Sequence, residues 1–256
     1  MLTFVGLGLY DVDDLTLRGK RAIDDADLVF AEFYTSHLVG LSEEKLESAL
    51  GKKVKFLSRE EVESGKIILE NAQSKNVVLL VVGDPMIATT HISLRIMAED
   101  KGIKTHIIHN ASIISAAPGI LGLQNYKFGR TVSLPFPQDN YFPTSAYDYI
   151  YDNFSHGLHT LILLDINPRP MTANEAMTIL LEMERKKGLG IFKERTLIAV
   201  VARAGAPDCR VRAGALGKLI KEDFGPPLHS LVLPGKLHFT EAEALEKLTG
   251  APHLLA

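Results

Sequence analysis

A chain of 256 residues, 46% hydrophobic and 23% charged, holds enough apolar material for one large domain or two ordinary ones, which excludes a disordered chain. Its 28 Lys and Arg against 31 Asp and Glu leave a formal charge of −3 with no long block of one sign, arguing against nucleic acid held through its phosphates. The single cysteine, Cys209, rules out an internal disulfide and a cysteine-based metal site.

Residues 2–5 read as a short buried strand, without the basic region and cleavage site of a signal peptide. The longest apolar runs fall well short of the roughly 20 residues of a membrane helix, so a cytoplasmic protein with no membrane contact is expected. Gly6-Leu7-Gly8-Leu9-Tyr10-Asp11 follows, then a helix through Leu15 to Ile23. Strand, glycine loop and helix suggest a dinucleotide fingerprint, but its third glycine is replaced by Asp11. An aspartate there is expected to repel a pyrophosphate, so the loop should bring backbone close to an uncharged or cationic ligand.

Further strands are predicted at 28–31, running into Glu32-Phe33-Tyr34-Thr35-Ser36, and at 54–57, with a capping-box-like helix start at Ser42. Residues 77–82 are six apolar positions in succession, the pattern of a strand covered on both faces. That strand stops at Gly83-Asp84-Pro85 and reopens as a helix capped by Thr89 or Thr90. Taken alone this is an ordinary strand-to-helix turn, yet ligands of open α/β sheets bind at such carboxyl ends. A strand over 104–109 and a helix that Ser112 would cap come next. The βαβα alternation predicts a mainly parallel sheet in a first domain, 1–110.

The second domain is expected over 111–256 after a Gly- and Pro-rich passage. It should contain a helix at 145–154, a strand at 161–164 ending in Asp165, and a capped helix from Thr172. Strands follow at 197–202, ending in Arg203-Ala204-Gly205, and at 230–233, immediately after His229. Their irregular spacing predicts a mixed sheet. No His-x-x-x-His, cysteine cluster, paired-carboxylate motif or nucleophile elbow occurs, so no metal is expected and serine chemistry is disfavoured. Arg203-Ala204-Gly205 reads as a turn.

Taken together, five segments resemble the tetrapyrrole-methylase-like class of S-adenosylmethionine-dependent methyltransferases in order and spacing. They are Val5-Gly6-Leu7-Gly8-Leu9-Tyr10-Asp11, the run from Gly83 to His91, Asn110-Ala111-Ser112-Ile113, Leu164-Asp165 and Ala202-Arg203-Ala204-Gly205. The resemblance implies a two-domain α/β fold with the active-site cleft between the domains. It also implies S-adenosyl-L-methionine as cofactor, with contacts from Leu9, Asp84, Ile87, Ser112, Ile113, Leu164, Ala204 and His229. Segments 30–36, 126–129, 171–176 and 234–238 are similar to the branch that methylates a modified histidine of translation elongation factor 2, implying that protein as substrate and a homodimer. Tyr34, Thr35, Thr89, Thr90 and His91 are then expected to orient the substrate, and no residue is named as a base. A tetrapyrrole-precursor methyltransferase and a non-enzymatic nucleotide- or cofactor-binding module are the other readings.

Overall fold

The computed structural model describes residues 1–38, 40–139 and 141–253, so the last three positions of the expected second domain lie outside it. The chain forms two compact units, Met1–Ile113 and Ile114–Ala256.

In the first unit the elements run β1 (Leu2–Gly6), α1 (Leu17–Asp24), β2 (Leu28–Glu32), α2 (Glu43–Leu50), β3 (Val54–Phe56), α3 (Arg59–Ser64), α4 (Lys66–Ala72), β4 (Val77–Val81), α5 (His91–Asp100) and β5 (Thr105–Ile108). All pairings are parallel, in the order β3-β2-β4-β1-β5. Successive residues of β4 point to opposite faces, and both faces are covered. Val77, Leu79 and Val81 join Leu2, Phe4, Ile68 and Leu94, whereas Val78 and Leu80 join Val5, Ile23, Leu46 and Val29. Burying a side chain of this size contributes about 1.5–3 kcal/mol, so the central strands hold the carboxyl-end loops on a rigid base. The start at Ser42 is half a capping box: its side chain accepts the Lys45 amide, but lysine cannot return the bond. The reciprocal box forms instead at Ser58 and Glu61.

The second unit contains α6 (Ile113–Leu121) after its first residue, which closes the first unit, together with β6 (Val132–Leu134), α7 (Ser145–Ser155), β7 (Thr160–Leu164), α8 (Ala173–Lys187), β8 (Leu197–Ala202), β9 (Arg210–Ala215), α9 (Leu216–Leu219), β10 (His229–Leu233) and α10 (Phe239–Thr249). Its sheet, ordered β6-β7-β10-β8-β9, is mixed, with β6 parallel to β7 and the other neighbours antiparallel. One face buries Leu134, Ile162, Val200 and Leu231 beneath Tyr147, Met177, Leu180 and Phe192. Thr172 caps α8 as expected, in a full box with Glu175. Among the described residues no helix is long and apolar enough to cross a membrane.

Candidate active site

Because β4, β1 and β5 are parallel neighbours, the loops at their carboxyl ends lie side by side. Gly6 has no room for a side chain: a Cβ would stand 2.5 Å from the Gly83 carbonyl oxygen and 2.8 Å from Asn110 Cβ. The Gly83 amide donates to the Gly8 carbonyl at 2.8 Å and receives the Gly8 amide on its own carbonyl at 3.3 Å. Asn110 Nδ2 donates to the carbonyls of Gly6 and Asp14, both at 2.9 Å, tying the third loop to the first.

The glycine loop has an internal anion. Asp14 Oδ2 accepts the amides of Leu9 at 2.8 Å and Tyr10 at 2.7 Å, taking donors that a phosphate would need. Asp11, expected to repel a pyrophosphate, accepts the Asp13 amide and caps a short 3-10 turn.

Asp84 is 5% exposed, and its carboxylate is held on several sides. Oδ1 accepts the Met86 amide at 2.9 Å; Oδ2 accepts from His109 Nδ1 at 2.7 Å and from the Asn110 amide at 3.3 Å. Within the same loop Ala88 adopts φ 55°, a left-handed conformation costing a residue with a Cβ about 1–2 kcal/mol.

His91 closes this loop from below. At 1% exposure it is buried, so its imidazole supports the loop and does not meet a substrate, contrary to the sequence-based expectation. Nδ1 lies 3.0 Å from the Pro85 carbonyl, which only accepts, so the proton is on Nδ1. Nε2 faces Glu32 Oε1 at 3.6 Å and the Tyr34 hydroxyl at 3.5 Å. Burial raises the Glu32 carboxyl above its ordinary value, and burial, with the Glu63 charge nearby, pushes Tyr34 up to about 12. Thr35 donates its amide to Glu32 Oε2 at 3.0 Å, while Thr90 is exposed and Thr89 half-buried.

Strand register groups the remaining candidates at one end of the second sheet. Ser230 pairs with Leu163 and His229 with Ala202, placing Leu164, His229 and the Ala204 turn on three adjacent strands. The His229 ring is already committed: Nδ1 accepts the Ala173 amide at 3.0 Å and Nε2 donates to the Pro226 carbonyl at 3.1 Å. Burial lowers its pKa, which favours the neutral ring that this pattern requires. Arg203 is more than a turn residue. Its buried guanidinium donates to the Phe224 and Pro226 carbonyls at 2.7 and 2.6 Å and pairs with Asp208 at 2.6 Å.

Two family-like segments, 126–129 and 234–238, meet in a buried polar knot. Glu241 Oε1 accepts from His159 Nε2 and the Gln124 amide, both at 2.9 Å; Oε2 accepts from Lys127 Nζ and, at 2.8 Å, the His238 amide. The Gly235 amide donates to His159 Nδ1 at 2.9 Å. Burial pushes the Glu241 carboxyl up, but the His238 amide, Lys127, the Gln124 amide and His159 together hold it at about 2. Burial lowers His159. These residues hold the unit together.

The eight predicted cofactor residues therefore form two groups: Leu9, Asp84, Ile87, Ser112 and Ile113 in the first unit, and Leu164, Ala204 and His229 in the second. The sequence reading assigned no role to Asp14, Glu32, Asn110 or His109: Asp14 acts locally on the Leu9 and Tyr10 amides without a motif, whereas the Glu32–His91, Asp84–His109 and Asn110–Gly6 pairings join segments far apart in sequence and follow from strand order. Among the described residues no group of three or more His, Cys, Asp or Glu is placed to hold a metal ion.

The family profile described as Tetrapyrrole (Corrin/Porphyrin) Methylases matches residues 1–220. A protein named diphthine synthase from Methanothermobacter thermautotrophicus is 50% identical over 255 residues, covering 98% of this chain and 97% of that protein. One of the same name from Methanosarcina acetivorans is 51% identical over 259 residues, with 98% and 97% covered. A solved structure described as the crystal structure of diphthine synthase superposes with TM-score 0.90 at 42% identity, covering 98% of this chain and 96% of that one.

Proposed function

The chain belongs to the tetrapyrrole (corrin/porphyrin) methylase family, and from that premise we infer that it catalyses the diphthine synthase reaction, an S-adenosylmethionine-dependent methyl transfer in diphthamide biosynthesis. The observation that carries this reading is end-to-end similarity, at about 50% identity, to proteins bearing that name. The strand-end chemistry of the first unit supports it. Asp14 already fills the loop amides, and the buried Asp84 carboxylate is held by His109 and the Met86 and Asn110 amides. That donor set fits a cationic sulfonium ligand with an apolar body better than a polyphosphate.

We assign the cofactor contacts to Leu9, Asp84, Ile87, Ser112, Ile113, Leu164, Ala204 and His229. His229 acts through its backbone or ring edge, because both ring nitrogens are engaged. When bound, S-adenosylmethionine supplies an electrophilic methyl carbon. The chain's own residues have to position an amine, exclude water and remove the amine's proton. Translation elongation factor 2 bearing an aminocarboxypropyl-modified histidine is the proposed substrate, methylated repeatedly on its amino nitrogen by a cytoplasmic homodimer.

Incubation with methyl-labelled cofactor and the modified elongation factor tests this reading, with label expected on the factor. An unlabelled factor together with transfer to a tetrapyrrole would overturn it. Calorimetry should show binding of both S-adenosylmethionine and S-adenosylhomocysteine. The relatives' shared name disfavours the tetrapyrrole and non-enzymatic readings.

A further inference from the structure

We propose that His109 is the general base that deprotonates the substrate ammonium, oriented for this role by Asp84. The inference rests on the methyltransferase reading above, which requires an amine with a free lone pair. An α-amino group titrates near ~8, so at neutral pH its nitrogen is mostly ammonium and cannot attack.

Three observations place the base. His109 follows the last residue of β5, three positions before Ser112, and its Nδ1 lies 2.7 Å from Asp84 Oδ2. Asp84 is buried at 5% exposure, whereas the His109 side chain is 68% exposed. A carboxylate accepts only, so this bond sets the proton on Nδ1 and leaves the lone pair on Nε2 of a largely exposed side chain. The Met86 and Asn110 amides hold the carboxylate, so the ring has a fixed orienting partner. The other acidic group next to this loop, Asp14, directs its carboxylate to the Leu9 and Tyr10 amides and only its backbone carbonyl to Asn110. Among the described residues, Asp84 is the charged group hydrogen-bonded to the imidazole.

The proton balance is direct. The substrate N–H bond breaks with its electron pair left on nitrogen, and the proton forms a bond to Nε2. That nitrogen pair then makes the N–CH3 bond while the donor's C–S bond breaks, its electrons retained by sulfur. Imidazolium returns the proton to water from its exposed edge, resetting the base for another methylation. His91 cannot do this work, because it is buried and its Nδ1 is bound to the Pro85 carbonyl.

The test compares His109→Ala and His109→Gln with wild type in single-turnover methyl transfer from S-adenosylmethionine to modified elongation factor 2 across pH 6–10. Both variants alter an exposed side chain, and the melting temperature and calorimetric cofactor affinity of His109→Gln, which keeps a donor for Asp84, should match wild type. Their rates should fall roughly 100-fold at pH 7, recover toward wild type as rising pH deprotonates the amine in solution, and increase with added imidazole. Independently of turnover, imidazole nitrogen NMR should find His109 in the Nδ1–H tautomer, and Asp84→Asn should disturb it. Unchanged rate and pH profile in both variants, with transfer intact, would overturn the base assignment and leave the methyltransferase reading standing. Absence of transfer by wild type would overturn both.

Discussion

Glu32 and His91 need a proton between them. Pro85 fixes the His91 proton on Nδ1, so a neutral ring turns its Nε2 lone pair toward Glu32 Oε1, a buried oxygen with no other hydrogen-bond partner. Two facing lone pairs would repel, and the upward shift of Glu32 caused by burial favours a proton on the carboxyl. Glu32→Gln should therefore be nearly neutral in thermal melts, since its amide can donate to Nε2 while its oxygen keeps the Thr35 amide. Glu32→Ala should lose roughly 1–3 kcal/mol by stranding both partners. Glu241 behaves in the opposite way, because it is ionised and surrounded by donors. Glu241→Ala leaves Lys127 and His159 without their acceptor and should cost about 3–5 kcal/mol, measured by denaturant titration. Its carboxyl is depressed, so its stabilisation is complete above the ordinary value near 4.5 and is lost as pH falls toward about 2.

At the level of elements, the three strand-end loops make two glycines unequal. Gly6→Ala drives a Cβ into the Gly83 carbonyl at 2.5 Å, forcing the loops apart; it should destabilise by about 1–3 kcal/mol and abolish calorimetric cofactor binding. Gly83→Ala meets Ser112 Cβ at an ordinary 3.5 Å and carries only the left-handed backbone cost of about 1–2 kcal/mol at φ +73°, so binding should weaken less. Much of this architecture is legible in the sequence. The unbroken apolar run at 77–82 marks a doubly covered strand, and Thr172 with Glu175 marks a helix start. Sheet order is not legible, because β4 lies between β2 and β1 only through tertiary packing, and that order creates the Asp84–His109 and Glu32–His91 pairs. Arg203 reads as a turn residue because nothing local shows that the Phe224 and Pro226 carbonyls converge on it. β9 carries Arg210, Arg212 and Gly214 in place of an apolar run, and the sequence reading does not find it.

Over the whole molecule, acid should act unevenly. His159 and His229 both belong to the second unit, and burial lowers both below the ordinary value of 6.5. A neutral buried imidazole favours the folded state fully above that value. As pH falls below it, the unfolded chain takes up protons first, and stability declines through the lowered folded values. Hydrogen exchange at pH 7.5 and 5.5 should therefore show protection lost in β7, β8 and β10 before β1 and β4; equal loss in both sheets would contradict this assignment. The internal anion of the first unit has a separate consequence. S-adenosylmethionine shares its adenosine with ATP, an abundant cellular competitor. Under the proposed cofactor assignment, Asp14 seated on the Leu9 and Tyr10 amides would present a triphosphate with occupied donors and a like charge, so millimolar ATP should leave methyl-donor affinity unchanged.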